Sequence, residues 1–208
     1  GEGPDHAEVM FIGEAPGQNE DRQGRPFVGA AGQFLEELIG LAGLKRKDVY
    51  IGNVIKCRPP GNRDPMPAEI QACSHWLDEQ IRLIQPRAIV TLGRFSMTRW
   101  FPGQSISRIH GRPATHGAVT VYPMYHPAAA LHQASLKETI ENDMRALGQM
   151  LRDSGVASVA PAPGDTVPAA APAPAPPQPR AAVPGPPAMP VAPTGPATPP
   201  SQSEQPQQ

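Results

Sequence analysis

The residues able to do chemistry in this 208-residue chain gather in three short stretches. The first, GEAPGQNEDRQGRPFVG (residues 13–29), sets Glu14, Glu20 and a single ring, Phe27, in a backbone kept bare by Gly13, Gly17 and Gly29. Such glycines let backbone N–H groups come close to a bound ligand. The second, NVIKCRPPGNRDP (residues 53–65), carries an amide, Asn53, and then Lys56, Cys57, Arg58, Asn62 and Arg63. The third, YHPAAALHQ (residues 125–133), opens on His126. An amide offers both donors and an acceptor and so reads the polar edge of a planar ligand. A histidine can donate to an oxygen on which charge develops.

These loops need a frame. Apolar runs at residues 7–13, 49–55, 87–93 and 119–125 read as strands. Between them lie helical patterns at 30–43, with Phe34, Leu35, Leu38 and Leu41 on one face, and at 67–84, with Ile70, Trp76, Leu77, Ile81 and Ile84. A third helix is expected over 136–151. Strands joined by helix-length connections predict an α/β fold, a three-layer α/β/α sandwich around a central, mainly parallel four-stranded sheet. Ligands of such sheets sit at the carboxyl ends of the strands. The loops leaving the first, second and fourth predicted strands are the three stretches above.

Each loop also has a plainer reading. Its Gly and Pro residues could only shape turns, Asn53 could cap one, and His126 before Pro127 could begin a helix without a chemical role. Cys57 and Cys73 could be two buried thiols. Three different chemical tools on one sheet edge favour a binding pocket instead.

The ordered series GEAPGQNED, GRPFVG, NVIKCRPPGNRDP, a cysteine sixteen residues after Cys57, and YHPAAAL resembles the iron–sulfur uracil-DNA glycosylases, family 4 of that superfamily, over nearly all of residues 1–152. The resemblance implies an enzyme that extrudes uracil from DNA and hydrolyses its N-glycosidic bond, starting base-excision repair. It implies that Phe27 stacks on the base, that Asn53 pairs with N3–H and O4, and that His126 donates to O2. Glu20 is expected to crowd C5 and reject thymine. Glu14 is expected to help position water, because Ala15 stands where better-known relatives carry an Asp, and a dissociative route is expected. Leu131 is the implied wedge into the duplex, with His132 where relatives often have Arg. The basic loop of Lys56, Arg58, Asn62 and Arg63 is expected at the DNA, with Arg108, His110 and Arg112 as a second small basic patch. The resemblance makes Cys57 and Cys73 two of four ligands to a 4Fe–4S cluster, the other two belonging to a C-x-x-C before Gly1, so that this chain reads as N-terminally truncated. Two other readings remain: a non-catalytic nucleic-acid-binding relative on the same fold, and a relative that bonds covalently to the abasic sugar. The latter is disfavoured by the lack of an extra basic loop with a nucleophilic His.

Charge and composition set the outer limits. Arg180 is one of 18 basic side chains, and Asp165 and Glu204 are two of 19 acidic ones, which leaves 17 of each in residues 1–153. DNA binding must therefore use a local patch, not a global positive field. No run spans a membrane and no signal peptide is seen, so a cytoplasmic, monomeric protein is expected. Residues 154–208, rich in Pro and Ala, are expected to be a disordered spacer, or a ligand for a proline-reading partner.

Overall fold

A computed structural model describes residues 1–156. Residues 157–208 of the predicted tail, and its proline-reading partner, lie outside the described residues, whereas Ser154 caps the last helix and Val156 is buried in the core. The elements run β1 (Val9–Gly13), α1 (Gln18–Gln23), α2 (Ala30–Leu41), β2 (Tyr50–Asn53), α3 (Pro67–Ile84), β3 (Ala88–Leu92), α4 (Arg94–Met97), α5 (Ile106–Ile109), β4 (Ala114–His116), β5 (Val119–Met124), α6 (Pro127–His132) and α7 (Ser135–Asp153). The sheet order is β2-β1-β3-β5-β4. β2, β1, β3 and β5 pair in parallel, and β4 joins antiparallel to β5. The sheet thus has five strands, one more than the sequence predicts. The run Ala114–His116 is short, half polar and exposed at its end, so it carries no alternation to detect.

Alternate residues of each strand serve opposite faces, as the pleat demands. Val9 and Phe11 of β1, Val90 and Leu92 of β3, and Tyr122 and Met124 of β5 pack under α2 and α7 with Leu35, Leu38, Ile39, Met144 and Leu147. Met10, Ile12, Ile89 and Val121 pack on the other side with Leu77 and Ile84 of α3 and Met97 of α4. The three-layer sandwich follows directly. Two helix residues depart from the expected faces. The buried stripe of α2 is Phe34, Leu35, Leu38 and Ile39, and Leu41 falls on its border at 39% exposed. In α3, Trp76 sits about 100° around the helix from the Leu77–Ile81–Ile84 stripe, and it is 56% exposed.

The edge strands are β4 and β2. The main chain of Glu2 pairs antiparallel with Ile51 of β2, donating at 2.9 Å and accepting at 2.8 Å. No helix among the described residues is long and apolar enough to cross a membrane.

Candidate active site

β1 and β2 end together, with Gly13 the register partner of Asn53. Backbone bonds from Val54 to Gly13 and from Ile55 to Glu14 carry the pairing past the strand ends. The first long loop is therefore laid against the second before either turns away. On the other side of β1, β3 and β5 end side by side at Leu92 and Met124. Gly93 donates its N–H to Met124 at 2.8 Å, which brings the His126 loop against β3. Three strand ends deliver three loops to one place.

They enclose a cavity of 650 Å³ lined by Glu14, Ala15, Gly17, Glu20, Phe27, Asn53, Asn62, Arg63 and His126, among others. Gly13 lies beneath it. A Cβ there would come within 2.5 Å of both Asn53 Oδ1 and Phe27 Cζ, so only glycine lets the amide and the ring approach each other. Nine predicted site residues thus share one cavity. Arg58 and Leu131 do not line it, although Leu131 stands 52% exposed on α6, whose residues Ala128 and Ala129 do.

Asn53 is 6% exposed, and its Oδ1 has no hydrogen-bond partner among the described residues. An unpaired buried acceptor is costly, and a ligand N–H is what would satisfy it. His126 is the N-cap of α6: its Nδ1 accepts the Ala128 N–H at 3.1 Å. Burial pushes its pKa down to about 4, against a small opposing pull from Glu20. The imidazole is neutral at physiological pH, and with Nδ1 accepting, the proton must sit on Nε2. The ring lies 5.5 Å from that of Phe27, centroid to centroid, at 27° between planes.

The two carboxylates differ. Burial, reinforced by Asp64 and opposed by Arg94, raises the Glu14 pKa. Burial also acts to raise that of Glu20, but its backbone hydrogen bonds win and the net shift is downward. Glu20 Oε1 accepts from Val28 at 2.9 Å and Gly29 at 2.7 Å, which knits the start of α1 to the turn before α2. QNEDRQ, hidden inside the glycine-rich stretch, forms α1 without a buried face, so periodicity could not reveal it.

Phe27 has φ +51°, a left-handed conformation that costs a side-chain-bearing residue about 1–2 kcal/mol. Its carbonyl packs against Gly32 of α2, where a Cβ would stand 2.0 Å from the oxygen. Arg46 donates to the same carbonyl at 3.1 Å and to that of Pro26 at 2.6 Å. Hydrogen bonds to a charged group contribute about 1.5–3 kcal/mol each, enough to hold the strained turn.

The basic loop is less free than its sequence suggests. Lys56 turns inward, donating to the Asn53 carbonyl at 2.8 Å and to Gln80 at 2.7 Å, and burial lowers its pKa to about 8. It is not part of a surface patch. Arg58 is tied to Asn62 at 2.6 Å, and Arg63 makes a two-point pair with Glu69 at 2.7 and 2.9 Å. In the second patch, His110 is drawn to Asp143 at 2.7 Å. Sequence reasoning missed Arg94 and Asp64, which pair with each other at the cavity wall. The position of Arg94 directly after β3 was the available signal, since that loop leaves the same sheet edge.

Cys57 is exposed and Cys73 half-buried, and the Cys73 Sγ accepts the Lys56 N–H at 3.5 Å. That contact brings Cys73 to the residue just before Cys57. Among the described residues, no group of three or more His, Cys, Asp or Glu side chains is arranged to hold a metal. The pair fits half of a four-thiolate set and does not complete one.

The profile of the Uracil DNA glycosylase superfamily matches residues 1–147. The chain belongs to that superfamily. Within it, the chain is 48% identical over 160 residues to the Type-4 uracil-DNA glycosylase of Sulfurisphaera tokodaii, covering 72% of this chain and 73% of that one. It is 47% identical to the Type-4 enzyme of Saccharolobus solfataricus, over 73% of this chain and 74% of the relative. The Type-4 enzyme of Archaeoglobus fulgidus is 45% identical over 72% of this chain and 80% of its own length. The superfamily match ends inside α7 and so covers every element that lines the cavity.

Proposed function

We infer that this protein is a uracil-DNA glycosylase that cleaves the N-glycosidic bond of uracil in DNA and leaves an abasic site. The single observation that carries the reading is the buried, unpaired Oδ1 of Asn53, within a cavity that also holds His126 and Phe27. Uracil presents N3–H, which Oδ1 would accept, and O4, to which the Asn53 NH₂ would donate. Cytosine offers the reverse pattern and would leave both groups unpaired. Phe27 supplies the stacking surface for the extruded ring.

Bond cleavage sends the C1′–N1 electron pair into the base, and charge collects on O2. The Nε2–H of neutral His126 would donate to that oxygen, a contact strongest in the transition state. Neutrality matters, because a cationic imidazole would require an acceptor for its second proton where Ala128 N–H now points. The sugar cation is then captured by water. Glu14, whose raised pKa makes it a better base than an ordinary carboxylate, is the group we assign to orient that water and take its proton. Ala15 adds no carboxylate, which agrees with departure of the base before attack. Glu20, bound to Val28 and Gly29, shapes the wall near the base C5. Arg58, Asn62 and Arg63 would meet phosphates, and Leu131 would fill the space left by the flipped base.

Cys57 and Cys73 we assign to a 4Fe–4S cluster as two of its four thiolates, with the Lys56 N–H bonded to the Cys73 sulfur. Its part would be to pin the loop after β2 to α3. No feature among the described residues favours a purely binding role on the same fold. The test is an oligonucleotide with one uracil, scored for alkali-labile breaks beside Asn53→Ala. Breaks at uracil and at neither cytosine nor thymine, lost in the variant, are expected. DNA bound but left intact by the cluster-loaded protein overturns the reading.

A further inference from the structure

Arg46 lies outside every motif singled out in the sequence and outside the cavity lining, in the turn between α2 and β2. Its side chain is only 16% exposed. Both ends of its guanidinium fork are directed at main chain, one to the Phe27 carbonyl at 3.1 Å and one to the Pro26 carbonyl at 2.6 Å. Glu2 stands behind it at 3.8 Å and makes a two-point pair with Arg25 at 2.7 and 2.9 Å. The residue so held is the one left-handed, side-chain-bearing position in the cavity apart from Asn62. Its carbonyl cannot drift toward α2, because Gly32 already touches it. A guanidinium forms planar two-point bonds that a lysine cannot copy.

We propose that Arg46 is the positioning residue that fixes Phe27 for stacking on the extruded base, with Glu2 orienting Arg46. The proposal rests on the stacking role read for Phe27 above. Arg46 acts only through Phe27. Its removal weakens base binding and leaves the chemistry at His126 intact.

The experiment is a double-mutant cycle on the whole protein: wild type, R46A, R46K, F27A and R46A/F27A. For each, kcat and KM are measured on a uracil oligonucleotide, with inhibition by free uracil, a thermal melt, and hydrogen exchange across residues 24–30. R46A should raise KM and the uracil inhibition constant by about tenfold, within the range seen for losing one stacking contact. Its kcat should change far less. R46K, keeping one bond, should fall between, and it still reads the effect if R46A does not fold. R46A/F27A should be no weaker than F27A alone, and exchange across 26–29 should quicken in R46A. Losses that multiply in the double variant overturn the proposal, because a merely structural residue behaves that way. So does a salt slope reduced by about one phosphate contact, which would make Arg46 a DNA ligand. Unchanged exchange in R46A overturns it even if the wild type releases no uracil, whereas an inactive wild type counts against the proposed function alone.

Discussion

His126 accepts the backbone N–H of Ala128 at Nδ1, at 3.1 Å, so one bond both starts α6 and selects the tautomer with its proton on Nε2, on a ring that lines the cavity. Replacing His126 with Ala removes the donor to the leaving base, and a rate loss of about a hundredfold to a thousandfold is expected in single-turnover assays.

The same burial fixes the pH response. The pKa of His126 is lowered to about 4, so protonation, and with it loss of the Nδ1 acceptor, comes only in acid. The part of the acid limb of kcat due to His126 should fall near pH 4, with no histidine break near the ordinary value of about 6.5, and protonation of Glu14, whose pKa burial raises, adds to the same limb. Stability follows the same sign. With the folded pKa below the unfolded one, the contribution of neutral His126 is complete above about pH 6.5 and is lost as pH falls toward the folded value. Urea titrations at pH 7 and pH 4.5 compare the two states.

Asn53→Ala removes the acceptor and donors aimed at the base edge together. At least about a hundredfold loss in kcat/KM on uracil is expected, by analogy with sites built to hydrogen-bond a substrate group. Cytosine and thymine should remain uncut, since nothing gained in the variant pairs with them.

Gly32 and Gly40 make a contrasting pair on α2. A Cβ at Gly32 would stand 2.0 Å from the Phe27 carbonyl oxygen, whereas one at Gly40 would meet nothing within 4 Å. Gly32→Ala should lower stability by about 1–3 kcal/mol, as overpacking does, and raise KM by displacing Phe27. Gly40→Ala should stabilise the helix by about 0.5–1 kcal/mol. Urea midpoints for the two variants read both signs.

Glu69 holds Arg63 by two bonds and also accepts the Met66 N–H at 2.8 Å. Glu69→Gln can keep the bond to Met66 while weakening the ion pair. Binding to uracil-containing DNA should tighten several-fold at low salt. The plot of log affinity against log salt should steepen by up to about one unit, the signature of one more phosphate contact. Fluorescence anisotropy over a salt series measures it.

Much of this site was readable in the chain because its parts lie where strands end. Gly13, Asn53 and His126 each close or follow an apolar run, and runs separated by helix-length segments pair in parallel. What stayed hidden lacks such a pattern. Ala114–His116 is too short to alternate, and Gln18–Gln23 buries no residue. The inward turn of Lys56 depends on Gln80, 24 residues away, and Arg46 reaches back 19 residues to Phe27. Contacts of that kind belong to the tertiary structure and leave no local mark. The helix faces were legible to within their borders, where Leu41 and Trp76 fell on the wrong side.

Glu2 pairs its main chain with Ile51 on the outer edge of β2 while its carboxylate backs Arg46. An uncovered edge strand is a template for a strand from another molecule. Through this one residue the N-terminal segment covers part of the β2 edge and also backs the guanidinium that holds the turn at Phe27. Loosening it would free that stretch of edge for pairing and slacken the turn at Phe27 in one event.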